Sequence, residues 1–107
     1  MKRSWSLEAA QTLVPDVRER TRSAVEAVEA LAVEPEGGAV DPAVEREIRD
    51  RISNWAREMD ALGLEVKGLW LVDFDNGDGY YCWKYPEVSI LHYHGYDEGF
   101  AGRMKIV

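Results

Sequence analysis

The spacing of the apolar residues changes at Gly63 from that of a helix to that of a strand. Before Gly63, apolar residues recur every three or four positions, as they do along one face of an amphipathic helix. After it, aromatic and β-branched residues fill two short runs, 69–74 and 80–84, in the pattern of strands. The chain therefore divides into a helical half, about 6–63, and a half made of a β-hairpin and a tail, about 64–107.

Two helices are predicted in the first half. The first begins at the N-cap Ser6, meets Pro15 as a kink or a restart, and ends near Val33. The second begins at Asp41-Pro42, a capping residue followed by proline at the first helical position, and Gly63 is placed to end it as a left-handed cap. The connection between the helices holds the breakers Pro35, Gly37 and Gly38. Because that connection is short, we expect antiparallel helices with facing apolar stripes.

The β-hairpin is predicted from the two runs that flank Asp75-Asn76-Gly77-Asp78-Gly79. Either Asn76-Gly77 or Asp78-Gly79 can supply the two residues with positive φ that a tight turn requires. The choice shifts the register by two residues on each strand, so the faces of the sheet do not change. A third strand is predicted at 88–92, after a turn at Tyr85-Pro86-Glu87, and an irregular but ordered tail follows it.

Alternation assigns the hairpin residues to two faces. The face predicted to meet the helices carries Trp70, Val72, Phe74, Tyr81 and Trp83. The opposite face carries Leu69, Leu71, Asp73, Tyr80, Cys82 and Lys84. The expected fold is a single α+β domain over 1–107, in which an antiparallel helical hairpin packs on a small antiparallel sheet of two or three strands with an ordered C-terminal tail.

The charge balance limits the partners that the chain can bind. Its 107 residues include 20 acidic and 13 basic ones, for a formal net charge of −7, and no basic face is present. Neither nucleic acid nor an anionic membrane surface is therefore an expected partner. No run approaches the roughly 20 apolar residues of a membrane span, and the N-terminus has no apolar signal core. Since Cys82 is the only cysteine, an internal disulfide cannot form, and a cytoplasmic location is expected.

Several segments of the second half run in the order and spacing of a small prokaryotic family. They are Leu71-Val72-Asp73-Phe74, Cys82-Trp83-Lys84, Pro86-Glu87, His94 and Asp97-Glu98-Gly99-Phe100-Ala101-Gly102-Arg103. The opening Ser6-Leu7-Glu8-Ala9-Ala10, followed by Leu13-Val14-Pro15, is also similar to that family's opening. On these segments the chain resembles the family known as domain of unknown function 2203. The resemblance implies a cytosolic prokaryotic protein with no established activity, so it identifies relatives and not a reaction.

A metal site is one interpretation of the histidines. His92 and His94 are two residues apart, which places both rings on one side of a strand, and Asp97 can reach the same region across the turn at Gly95. With Cys82 as an extra ligand, these residues form a candidate site for a divalent metal. The alternative is structural, with His94 hydrogen-bonded to backbone or to Asp97 and His92 packed against aromatic rings. No other cofactor is expected.

A buried carboxylate is predicted in the first strand of the hairpin, where Asp73 interrupts an apolar run. It needs a specific partner, and Arg103 is the first candidate, with Glu87 as the second choice. In the structural interpretation Asp73 and Arg103 clamp the tail onto the sheet. In the functional one, Arg103 and His94 bind an anionic ligand in a cleft between tail and hairpin. Cys82 lies among apolar neighbours that raise its pKa, which predicts a poor nucleophile.

The face of the sheet that points away from the helices raises the question of function. Four residues on that side have no predicted cover: Leu69, Leu71, Tyr80 and Leu91. An exposed apolar patch usually marks an interface, unless the tail covers it. The sequence therefore favours a non-enzymatic module that associates with itself as a homodimer or with a partner protein, since no nucleophile, phosphate loop or full ligand set is evident. The alternative is a metal- or anionic-ligand-binding site, hydrolytic in one version, built on His94, Asp97, Asp73 and Arg103.

Overall fold

The computed structural model describes residues 4–33, 38 and 41–106, and within them the chain is an α+β protein. Two helices come first, α1 (Leu7–Leu31) and α2 (Pro42–Ala61). The strands that follow are β1 (Glu65–Gly68), β2 (Leu71–Asp75), β3 (Tyr80–Lys84), β4 (His92–His94) and β5 (Met104–Lys105). They pair in sequence order, each antiparallel to the next, so the described sheet has five strands and not the two or three predicted. A 3₁₀ turn, Phe100–Gly102, precedes β5.

The helix ends agree with the capping residues read from the sequence. The side chains of Ser6 and Asp41 each accept a backbone N–H from the first turn of their helix. Gly63 has φ +89° and ends α2 as a left-handed cap. Helix α1 is continuous through Pro15, so no second helix restarts there. The predicted breakers that lie outside the described residues are Pro35 and Gly37. No helix in the described part of the chain is both long and apolar enough to cross a bilayer.

The hydrophobic core lies between the helices and the inner face of the sheet. That face supplies Val72, Phe74 and Trp83, as the alternation predicts, and α2 supplies Trp55 and Met59. The buried core residues of α1 are Ala10, Val14 and Val17. Burial of these apolar side chains is the main term that stabilises the contact between helices and sheet.

Trp70 links the sheet to the helices from an unusual backbone position. It lies in the turn between β1 and β2 with φ +59°, a conformation that bulky residues rarely adopt. Its ring packs edge-on against Trp55, with ring centroids 4.9 Å apart, and its carbonyl accepts the N–H of Tyr85 at 3.0 Å. Because Trp70 belongs to a turn, β2 begins at Leu71 and not at Leu69 as predicted.

The turn between β2 and β3 is centred on Gly77-Asp78. The N–H of Asn76 donates to the carbonyl of Gly79 at 2.9 Å, and Gly77 has φ +94°. The two predicted centres lie one residue to either side, so both were wrong. The register that results places Asp73 directly opposite Cys82. The faces are as predicted within β2 and β3, whereas Leu69 and Trp70 lie in the turn before β2.

The strand that follows the hairpin starts later than predicted. It was expected at 88–92, whereas β4 covers His92–His94. The reason lies in α1, where the side-chain amide of Gln11 binds both the N–H and the carbonyl of Ile90, at 2.7 and 2.9 Å. The backbone before β4 is therefore held by a helix and does not pair with β3.

Thr21 and Trp55 provide a test of how the helices are held together. Both are buried, and the indole N–H of Trp55 donates to the hydroxyl of Thr21 at 2.9 Å. Thr21→Val keeps the shape of the side chain but removes this acceptor, which should lower the free energy of unfolding by about 1–3 kcal/mol. The matched control is Thr12→Val, whose exposed hydroxyl bonds within α1 and should change little. Urea unfolding measures both, and equal stability of the two variants would contradict the prediction.

Candidate functional site

Three side chains with metal-binding atoms meet on the outer face of the sheet, which points away from the helices. Asp73 and Cys82 are paired across β2 and β3, and His94 enters from β4, which pairs with β3. Residues paired across strands share a face, so all three side chains lie on one side. A carboxylate oxygen, the thiol sulfur and a ring nitrogen lie within 4.8 Å of one another. We call Asp73, Cys82 and His94 the donor cluster.

The side chains of the donor cluster are almost fully buried. The three residues are 1%, 0% and 3% exposed, in the order Asp73, Cys82, His94. Burying a carboxylate costs free energy unless hydrogen bonds or an opposite charge replace the lost water. The hydrogen bonds and charges around Asp73 therefore determine which partner the cluster favours.

The ring of His94 has a defined orientation. Its Nδ1 lies 2.9 Å from the carbonyl oxygen of Gly95. A carbonyl can only accept, so Nδ1 carries the proton, and a neutral ring then has an unprotonated Nε2. That Nε2 lies 2.9 Å from Oδ2 of Asp73. Two lone pairs at this distance repel each other unless a proton or a cation lies between them.

The carboxylate of Asp73 is poorly satisfied by hydrogen bonds. The contact with His94 is at ion-pair distance, yet neither oxygen of Asp73 has an aligned hydrogen-bond donor among the described residues. The thiol of Cys82 also interacts with this carboxylate, but a thiol is a weak donor. Burial raises the pKa of Asp73, and His94 lowers it in part. The carboxylate therefore lies in a position that favours a positively charged partner.

The thiol of Cys82 is not activated by its surroundings. Burial and the neighbouring Asp73 raise the pKa of Cys82 to about 11, although Arg103 acts in the opposite direction. At neutral pH the thiol is therefore protonated, in line with its apolar neighbours, and it is a poor nucleophile. A metal ion would displace the proton of the thiol, because coordination to the sulfur stabilises the thiolate.

Arg103 pairs with Glu87 and not with Asp73. Its Nη2 and Nη1 donate to the two carboxylate oxygens of Glu87 at 2.8 and 3.2 Å, and the side chains are only 16% and 18% exposed. The backbone N–H of Lys84 fixes Glu87 at the end of β3 with a 2.7 Å bond. The predicted clamp between Asp73 and Arg103 is therefore wrong, because the carboxylate that binds Arg103 is that of Glu87. Arg103 still fastens the tail to the sheet, and its Nη1 lies 3.8 Å from the sulfur of Cys82.

The other two predicted metal ligands lie outside the donor cluster. His92 is paired with Cys82 across β3 and β4, and its Nδ1 is 3.7 Å from Glu87. Asp97 is exposed and does not belong to the cluster. The structure thus brings together two of the four predicted ligands and adds Asp73, which the sequence had placed in the ligand-binding set.

A pocket of about 370 Å³ opens beside the donor cluster, and the three donors line it. The chain after β4 forms its outer wall. The other residues around it include Lys67, Leu71, Tyr80, Tyr96, Glu98 and Phe100. Tyr96 holds this wall in place, because its hydroxyl donates to Asp75 at 2.6 Å and its ring packs edge-on against Tyr80. That hydrogen bond raises the pKa of Tyr96 to about 12.

The tail also covers part of the predicted apolar interface. Tyr80 is 6% exposed and lies beneath Tyr96, and Leu71 is half-buried in the wall of the pocket. Leu69 and Leu91 remain exposed. Tyr80 therefore belongs to the pocket and is not presented to a partner.

One signal in the sequence would have added Asp73 to the metal ligands. A tight turn can have glycine at its first central position, and Gly77-Asp78 meets this condition. A turn centred on these two residues sets the register that pairs Asp73 with Cys82. No comparable signal identifies Lys67 or Tyr96, because their roles depend on how the short β1 and the tail fold over the sheet.

A comparison with protein families agrees with the resemblance seen in the sequence. The family model described as "Uncharacterized conserved protein (DUF2203)" matches residues 3–106, nearly the whole chain. No curated protein and no solved structure gives a significant match. The family match therefore carries no activity with it, and the chemistry has to be argued from the residues.

The pair of Arg103 and Glu87 provides a test of how the tail is held. Arg103→Met keeps the apolar stem but leaves the half-buried carboxylate of Glu87 without its partner, so the free energy of unfolding should fall by about 1–3 kcal/mol. Arg103→Lys should recover part of this loss, since a single ammonium cannot bind both oxygens in the same way. The control is Arg22→Met, because Arg22 makes exposed ion pairs with Glu19 and Glu26, which solvent screens, so their loss should change stability little. Chemical denaturation that ranks Arg22→Met as the more damaging change would refute the assignment.

Proposed function

We propose that this chain, which belongs to the DUF2203 family of uncharacterized conserved proteins, binds a divalent transition-metal ion through Asp73, Cys82 and His94. The observation that carries the proposal is the convergence of three buried donor atoms within 4.8 Å, one of them on a carboxylate with no aligned hydrogen-bond donor among the described residues. A cation at this point would bind a donor atom of each of the three side chains.

The kinds of donor favour an ion of the zinc class. A thiolate and an imidazole suit Zn²⁺ or Co²⁺, whereas Mg²⁺ and Ca²⁺ prefer oxygen ligands alone. Ligand atoms around a tetrahedral zinc ion are about 3–4 Å apart, given metal–ligand distances of about 2.0–2.3 Å. The atoms of the donor cluster lie within 4.8 Å of one another, so they would have to move closer together around an ion, which rotation of the side chains can supply.

The surroundings of the donor cluster support the same proposal. Metal-binding histidines commonly donate their second ring N–H to a carbonyl, as Nδ1 of His94 does to Gly95. Arg103, at 3.8 Å from the sulfur, favours the thiolate form of Cys82. A divalent cation balances one carboxylate and one thiolate, so the buried site becomes neutral. The thiol must stay reduced to bind, which fits the cytoplasmic location that we propose for the protein.

A purely structural ion pair between Asp73 and His94 accounts for less of the geometry. It would leave Oδ1 of Asp73 buried without a conventional donor, at a cost of about 1–3 kcal/mol. It would also limit Cys82 to weak contacts with Asp73 and Arg103. The metal site gives a physical reason for both features.

Zinc titration of metal-free protein tests the proposal. We expect one Zn²⁺ per chain, and Asp73→Asn, Cys82→Ser and His94→Gln should each weaken binding by on the order of 100-fold or more, since loss of an outer-shell partner alone costs 10–100-fold. The controls are His92→Gln and Asp97→Asn, which change the same two side-chain types outside the cluster. Protein that takes up no ion, or controls that lose it equally, would refute the proposal.

Stability measurements distinguish a metal site from a structural ion pair. Without metal, Asp73→Asn should cost little, because it removes a poorly satisfied buried charge; if the ion pair were structural, breaking it would cost about 3–5 kcal/mol. Addition of Zn²⁺ should raise the melting temperature of the parent chain but not that of Asp73→Asn, because ligand binding stabilises only a protein with an intact site.

A second proposal, self-association, has one specific observation in its favour. Tyr93 and Met104 are paired across β4 and β5 at the edge of the sheet and are 39% and 46% exposed, with Leu91 exposed next to them. Exposed apolar residues at a sheet edge are suited to pairing with the same edge of a second copy in a two-fold dimer. This surface lies away from the four residues that the sequence suggested, apart from Leu91.

Sedimentation tests this second proposal. If two copies pair at this edge, Met104→Glu should lower the sedimentation coefficient from that of a dimer to that of a monomer, because the new charges would face each other across the interface. Val33→Glu is the matched control, since Val33 is exposed just after the C-terminal end of α1. A parent chain that sediments as a monomer at micromolar concentration would refute self-association.

A further inference from the structure

The donor cluster provides fewer ligands than a closed tetrahedral site. Among the residues that the structure describes, it is a group of three, Asp73, Cys82 and His94. Structural zinc sites have four protein ligands, whereas reactive sites have three and leave the fourth position to water or a substrate. Three other carboxylates on this side lie outside the cluster. Glu65, opposite Asp73 across β1 and β2, binds Lys67 and the hydroxyl of Tyr80. Glu98 accepts the N–H of Gly95, and Asp97 is exposed.

The free side of the donor cluster is the pocket and not the protein interior. All three donors line this space of about 370 Å³. This space is large enough for several water molecules or for a small organic molecule. An ion at the cluster would therefore have its open position directed toward a space of the size of a small ligand.

The walls of the pocket are apolar on two sides. Leu71 and Tyr80 project from the sheet, and Tyr96 and Phe100 project from the tail. The ring of Phe100 is held in place by Arg103, whose guanidinium carbon lies 4.4 Å from the ring centroid. These side chains can enclose a compact apolar or aromatic group.

The charges around the pocket limit the charge of a ligand. Asp97 and Glu98 line it, while the lining base is Lys67, which is already paired with Glu65 at 3.2 Å. A phosphate or a dicarboxylate would be repelled by the two acidic residues. A divalent ion that is neutralised by Asp73 and Cys82 tolerates one further negative charge but gains little from a second.

We infer that a metal ion at the donor cluster keeps one exchangeable coordination position, which is filled by a small monoanionic ligand bound in the pocket. The ligand has a compact apolar body, as an aromatic or branched monocarboxylate does. This inference rests on the proposed metal site and adds the class of ligand to it. It assigns Leu71, Tyr80 and Phe100 the role of binding the apolar body.

Spectroscopy of the Co²⁺-loaded protein tests the inference, because the visible bands of cobalt report changes in its ligands. Benzoate should change the spectrum in a saturable way and bind about tenfold more tightly than acetate, since the ring adds buried apolar area in the pocket. Inorganic phosphate should leave the spectrum unchanged. Phe100→Ala should reduce the affinity for benzoate toward that for acetate, with the affinity for Co²⁺ unchanged.

The outcomes separate this inference from the metal proposal itself. Protein that binds no Co²⁺ refutes the metal site. Protein that binds Co²⁺ but does not respond to benzoate or acetate has a closed site, which overturns the inference and leaves the metal proposal intact. A change in the cobalt bands of Asp97→Asn without added anion would identify Asp97 as a fourth ligand and overturn it as well. A response to phosphate in preference to benzoate would overturn the class of ligand.

Discussion

The antiparallel pairing of β2 with β3 is the constraint on which the rest of the structure depends. It directs Val72, Phe74 and Trp83 into the core and brings Asp73 opposite Cys82 on the outer face. Since side chains alternate along a strand, one pairing determines both the hydrophobic contact with the helices and the chemistry of the exposed side. The core thereby acts as the rigid support that holds two of the three donors at a fixed separation.

The sequence was sufficient for the elements whose pattern is strong. Helical spacing and the caps at Ser6, Asp41 and Gly63 located both helices, and alternation assigned the hairpin residues to their faces. It was not sufficient for the register, because the loop contains three overlapping pairs of turn-forming residues. Each predicted turn would have placed Tyr80 or Lys84 opposite Asp73, whereas the observed turn places Cys82 there.

The remaining differences come from parts of the chain where tertiary contacts override local preference. Trp70 adopts a positive φ that its side chain does not favour, because packing against Trp55 holds it there, so β1 had no turn signal to mark its end. The strand predicted at 88–92 begins only at His92, because the side chain of Gln11 binds the backbone of Ile90. The pairing of Arg103 with Glu87 depends on how the tail returns to the sheet, which spacing along the chain does not encode.

The two helices extend well past the sheet, in a molecule whose longest dimension is 49 Å. The last buried residue of α1 is Val25 and the first of α2 is Trp55, so the described turns beyond them have no third layer to pack against. Transient opening of that end costs much less than global unfolding, and it need not disturb the strands. The described turns of α1 after Val25 and of α2 before Trp55 are consequently where sequence changes can be tolerated while the geometry on the opposite side of the sheet is retained.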